Sequence, residues 1–168
     1  MNDYWYLYSD PFVATTWNSY RSIRILVYQI IVTQLAQLTE SQSMKSIPQD
    51  TSIQQIQLNT SKRIVVELSH KICASIPFFM GRGLLEDDND SRYQPRNTSR
   101  ARLIVWPLYV AGQTDFASDI MRLWAAEQLE GIADGVGIRK VKAFSRILRA
   151  KQRVSARMWR DLGMDMDC

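Results

Sequence analysis

The chain of 168 residues has the length of one ordinary domain, and 46% hydrophobic with 23% charged residues is a globular composition, not that of a disordered segment. Seven glycines and five prolines exclude collagen-like and low-complexity chains, and two cysteines, Cys73 and Cys168, exclude a disulfide framework. The net charge of +4 is unevenly spread: nine of the 21 Lys and Arg lie between Arg139 and Arg160, where there is no Asp or Glu, and the other 12 are outnumbered by 17 acidic residues elsewhere.

The apolar spacing is helical nearly throughout. Asp10-Pro11 opens a segment from Phe12 to Leu38. In it Trp17, Tyr20, Val27, Ile31 and Leu38 share one stripe, widened by Ile23, Leu26 and Ile30. So wide a stripe predicts burial against more than one neighbour. Ser41 to Asp50 is polar, carries Pro48 and reads as a connection. A second helix is expected from Thr51, where Thr51 and Gln54 have the form of a capping box. Ile53, Ile56, Ile64, Leu68, Ile72 and Ile76 recur along it, and Asn59-Thr60-Ser61 leaves one long helix or two open. Pro77 and Gly81 should end it near Phe79.

Gly81 to Ser99, with Glu86, Asp87, Asp88 and Asp90, reads as a long acidic loop. A third helix is expected over Arg100 to Val110, kinked or broken by Pro107 and stopped by Gly112. Thr114 is placed to cap a fourth, with Asp115 at the positive end of its dipole and Phe116, Ile120, Leu123, Trp124 and Leu129 on its apolar side. Gly131, Gly135 and Gly137 mark the next turn, and a fifth helix follows from Ile138 to Trp159. No period-two strand pattern and no internal repeat occur.

On a helical wheel this last helix separates into an apolar side (Ile138, Val141, Phe144, Leu148, Trp159) and a cationic stripe. The stripe comprises Arg139, Lys142, Arg146, Arg149, Arg153, Arg157 and Arg160. Like charges one turn apart repel by a few tenths of a kcal/mol. Three readings fit: a surface for phosphate or an acidic partner, a solvated face, or pairing with the acidic residues at Glu86 to Asp90. No aromatic residue interleaves the cations, which argues against base stacking.

His70 and Cys73 lie one helical turn apart and are the only close pair among the three Cys and His residues. Two ligands do not make a structural zinc site, and a free cysteine on an apolar helix behaves as a small core residue. There is no glycine-rich phosphate loop, dinucleotide fingerprint or nucleophile elbow. The expectation is therefore no enzyme, no cofactor and no metal. Ile23 to Val32, the most apolar stretch, contains Arg24 and Gln29 and is too short to span a bilayer. With no basic stretch ahead of an apolar run at the N-terminus, a soluble intracellular protein is expected.

Three segments carry a resemblance. They are Trp17-Asn18-Ser19-Tyr20-Arg21-Ser22-Ile23-Arg24-Ile25, Ile72-Cys73-Ala74-Ser75-Ile76-Pro77-Phe78-Phe79-Met80-Gly81, and Trp106-Pro107-Leu108-Tyr109-Val110-Ala111-Gly112. In this order they resemble the C-terminal regulatory region of the fungal-specific transcription factor family, whose members carry a binuclear zinc-cluster DNA-binding domain. The likeness extends from Trp17 to about Leu148 and is weaker beyond. It implies an all-helical regulatory module with packing and turn roles for these segments and no catalytic residue. The family's zinc cluster needs six cysteines, and this chain has two. Binding DNA in the family's way is thereby excluded for this chain. A stand-alone accessory regulator, a piece of a longer factor and a diverged remnant all remain open.

The expected architecture is all-α, an irregular array of about five or six helices in one domain over residues 1–168, with the long acidic loop near 81–99. The expected function is a non-enzymatic transcription-regulatory module in the nucleus, with the cytoplasm as the alternative location. It would act through contacts with a full-length transcription factor or a second copy, possible targets including a metabolic gene cluster. The alternative is a binding module for an anionic partner, nucleic acid or acidic protein, through the basic helix 139–160.

Overall fold

The computed structural model describes residues 8–43, 51–81 and 95–161. They are helical, without a strand, in five long helices and one single-turn helix. These are α1 (Pro11–Ser43), α2 (Thr51–Ala74), α3 (Ile76–Phe79), α4 (Pro95–Gln113), α5 (Asp119–Val136) and α6 (Arg139–Asp161). The acidic stretch from Glu86 to Asp90, and with it any pairing of that stretch with the basic helix, lies outside the described residues, as does the side chain of Thr51.

Each helix end has a local chemical cause. Asp10 opens α1: its Oδ1 accepts the Phe12 N–H at 2.5 Å, its carbonyl accepts that of Ala14 at 3.1 Å, and Pro11 fills the first position, where no N–H is needed. α2 runs unbroken through Asn59-Thr60-Ser61 because the side chains of Asn59 and Thr60 point to water while Ser61 is buried among its neighbours. It stops at Ala74, earlier than Pro77 suggests, and Pro77 instead supports the first turn of the separate short helix α3.

Three expectations about α4 are corrected. The helix begins at Pro95, inside the stretch expected to be loop, and continues through Pro107 to Gln113 instead of breaking. Pro107 is buried, and the carbonyl whose bond it removes belongs to Leu103, an exposed residue. Gly112 is not a stop. It is a close-approach point: a Cβ there would lie 2.8 Å from Leu148 Cδ1 and 3.1 Å from Ala125 Cβ, so α5 and α6 meet α4 where it has no side chain.

The cap of α5 is also reassigned. Ser118, not Thr114, accepts the Met121 N–H, at 3.2 Å, with Asp119 following in the first turn. Thr114 is buried in the turn before it, where its carbonyl and that of Ala117 accept from Arg122 Nη2 at 3.0 and 3.1 Å. Arg122 also reaches the Gly112 carbonyl and Asp119 Oδ1, so one buried guanidinium ties the α4–α5 turn together. α5 continues through Gly131 and Gly135, and Gly137 alone ends it, at φ 71°.

α4 is the centre of the array: it packs against α1, α2, α3, α5 and α6, while α1 pairs with α2 and α5 with α6. Ile25, Val65, Ile72, Phe79, Ile104, Leu108, Leu129, Ile132 and Leu148 are fully or almost fully buried in one interior. None of the helices is long and apolar enough to cross a membrane among the described residues.

Candidate functional site

The cationic stripe on α6 is only partly available. Lys142 Nζ lies 2.6 Å from Asp134 Oδ1. Arg149 grips Glu130 with two parallel bonds, Nε to Oε1 at 2.9 Å and Nη2 to Oε2 at 2.8 Å, and Ser145 donates to the same carboxylate at 2.5 Å. Arg149 and Ser145 together hold the Glu130 carboxyl down to about 2. Among the described residues the acidic partners of the stripe come from α5, the neighbouring helix, and Arg149 is a strut between α5 and α6. Lys151, outside the predicted stripe, joins α6 to the α4–α5 turn through Asp115 at 2.6 Å and the Gln113 carbonyl.

Arg139 and Arg146 are exposed and have no ion-pair partner among the described residues. With Lys142 they line an open groove of about 520 Å³ where α5 ends and α6 begins, and Asp134 is the acidic residue on its wall. The side chains of Arg153, Arg157, Arg160 and Trp159 lie outside the described residues.

The apolar stripe expected to bury α1 faces outward. Trp17, Tyr20, Val27 and Leu38 are about half exposed, Ile23 is 61% and Ile30 63% exposed, and Leu26 and Ile31 are half-buried. The buried side is nearly opposite, formed by Ala14, Asn18, Arg21, Ser22, Ile25 and Val32. Small and polar residues take the inside because the polar ones find partners there. Asn18 Nδ2 donates to Ser75 Oγ at 2.8 Å, Arg21 Nη1 donates to Asn18 Oδ1 at 2.8 Å and to the Tyr8 hydroxyl at 2.6 Å, and Ser75 Oγ donates to the Ile72 carbonyl at 2.7 Å. This buried network joins the first two of the three resembling segments, 57 residues apart in sequence. The sequence signal for it was the Asn-x-x-Arg pair one turn apart. In any hydropathy count that pair is outweighed by the larger apolar residues on the other face.

On the exposed side Trp17 and Tyr20 meet edge to face, with ring centroids 5.9 Å apart. The Arg24 guanidinium lies over the Tyr20 and Tyr28 rings at 5.5 and 5.6 Å. A smaller apolar area lies across α4 and α6: Tyr109 and Phe144 stack at 4.4 Å, and Trp106, touching both, is 51% exposed beside exposed Leu103 and Ile147.

His70 and Cys73 are not brought together as a site. His70 is exposed, and Cys73 packs against the core, where burial pushes its thiol up to about 12. Among the described residues no group of three or more His, Cys, Asp or Glu side chains gathers.

No protein-family model, no curated protein and no solved structure matches this chain. The features that bear on function are therefore its own: an uncovered apolar face on α1 and a short row of cations at the start of α6.

Proposed function

We propose that this chain is a non-enzymatic transcription-regulatory module that acts in the nucleus through protein contacts, its partner a full-length transcription factor or a second copy. The observation that carries this reading is the uncovered face of α1, a contiguous apolar row that carries Trp17 and Tyr20, residue types favoured at the centres of protein-contact surfaces. Monomeric proteins seldom leave so long an apolar row in water, because each half-exposed side chain forgoes about 1 kcal/mol of burial. The transcriptional part rests on the resemblance of the three segments, and the buried bonds between Asn18, Arg21 and Ser75 support giving them packing roles.

The test is a reporter assay. The whole chain, joined to an unrelated DNA-binding domain, should change reporter transcription several-fold in a fungal host. Replacing Val27 and Ile30 by Lys should remove the effect. A fusion that reaches the nucleus and leaves the reporter unmoved would refute the proposal.

A second reading has its own observation, the groove lined by Arg139, Lys142 and Arg146. It favours an anionic partner, with binding that weakens steeply with salt. Arg139→Glu with Arg146→Glu should abolish retention of a labelled DNA duplex or an acidic peptide. Unchanged retention would dispose of this reading.

A further inference from the structure

We infer that the occupant of the α1 face is a second copy of this chain, docked by the same face about a two-fold axis; this takes that face to be the protein-contact surface proposed above. The spacing is the first support. Val13, Thr16, Tyr20, Ile23, Val27 and Ile30 follow one another at steps of three, four, three, four and three. That is the spacing of a seam along which one helix lies on another. Four of its members, Tyr20, Ile23, Val27 and Ile30, are 49–63% exposed although they occupy consecutive seam positions, so the seam is built and no partner for it lies among the described residues.

The area is the second support. Together with Phe12 and Trp17, these residues expose on the order of 700 Å² of mostly apolar surface. A standard interface takes about 800 Å² from each partner, so this face and its rim nearly reach what a stable dimer needs.

Charge is the third. From Phe12 to Leu38 the charged residues are Arg21, which is buried, and Arg24, which lies over two tyrosine rings at the edge of the face. The row itself offers nothing to pair with a partner of either charge, and Arg24 at its edge is engaged by the Tyr20 and Tyr28 rings. A copy of the same uncharged row meets it without like-charge opposition, and a two-fold axis makes one patch serve both sides.

The experiment is the mass of the whole chain in solution by light scattering and sedimentation, across a hundred-fold range of concentration. The unaltered chain should run at twice its 19.5 kDa and dissociate on dilution. Val27→Lys, and separately Ile23→Lys, should weaken self-association at least ten-fold while leaving the helical circular dichroism unchanged and the melting temperature equal to that of the unaltered chain diluted to monomer, because both positions face water in one chain. Ile120→Lys, at an 83% exposed position on α5, should leave the dimer intact. A monomer at about 100 μM, or a dimer that Val27→Lys leaves as tight as before, overturns the inference. The two proposals fail separately: a monomer whose reporter effect still needs Val27 has a different protein on this face, and a dimer without reporter effect self-associates for another purpose.

Discussion

The buried bond between Asn18 and Ser75 can be tested by a double-mutant cycle, because it joins α1 to the end of α2 and both residues are fully buried. Asn18→Ala removes two bonds, one of them to a guanidinium. A hydrogen bond to a charged group is worth about 1.5–3 kcal/mol and a neutral one about 1 kcal/mol, so the loss is about 3 kcal/mol. Arg21 keeps the Tyr8 hydroxyl, which limits the penalty of a stranded guanidinium. Ser75→Ala removes the bond from Asn18 and the one to the Ile72 carbonyl, and strands a buried amide N–H, for about 2 kcal/mol. Both variants delete the same Asn18–Ser75 bond, so the double variant should cost about 1 kcal/mol less than the two single losses combined. Urea unfolding followed by circular dichroism reads these values from the midpoint, with the slope unchanged. For a chain of this length about 3 kcal/mol lowers the melting temperature by roughly 6–12 °C. Strict additivity, or an Asn18→Ala loss below about 1 kcal/mol, would refute the assignment of this network as a tie between the two helices.

The glycines give a contrasting pair. Gly112→Ala drives a methyl group against Leu148 and Ala125 and should destabilise by about 1–3 kcal/mol. Gly131→Ala meets nothing within 4 Å on an exposed turn of α5 and should stabilise by about 0.5–1 kcal/mol in the same urea assay. The Glu130–Arg149 pair predicts a pH dependence. The folded carboxyl is held at about 2, below its ordinary 4.5, so its contribution is present above 4.5 and is lost as the pH falls through about 2. Both side chains are a third or more exposed, and solvent screening brings the effect to about 1 kcal/mol. Glu130→Gln should therefore flatten the acid limb of the stability curve by that amount between pH 4.5 and 2, and parallel curves for the two proteins would remove the pair from the account.

The periodicity of apolar residues was sufficient for the helical class and for most helix positions, since spacing along a helix is a local property. It also separated Val141 and Leu148 from the cations of α6, because there the two residue types differ sharply. Helix ends were less legible. Thr114 and Ser118 are both cap-forming residue types; Ser118 takes the role, and Thr114 is buried in the turn with its carbonyl bonded to Arg122. Gly112 looked like a stop, and only the arrival of Leu148 and Ala125 from other helices gives it its role. Pro107 predicts a kink or a break, and the helix is not broken, because neighbours packed around α4 hold it through the proline.

The face of α1 shows the limit most clearly. Its sequence is apolar on two sides, and hydrophobicity alone assigns the bulkier side to the interior. The tertiary structure chose the other, because Asn18 and Arg21 find Ser75 and Tyr8 there, and Ala14 and Ser22 let neighbouring helices come close. Which residues are apolar was decided one position at a time by the chain. Which apolar face is covered depends on satisfying buried polar groups across residues far apart in sequence, and only the assembled helices can do that.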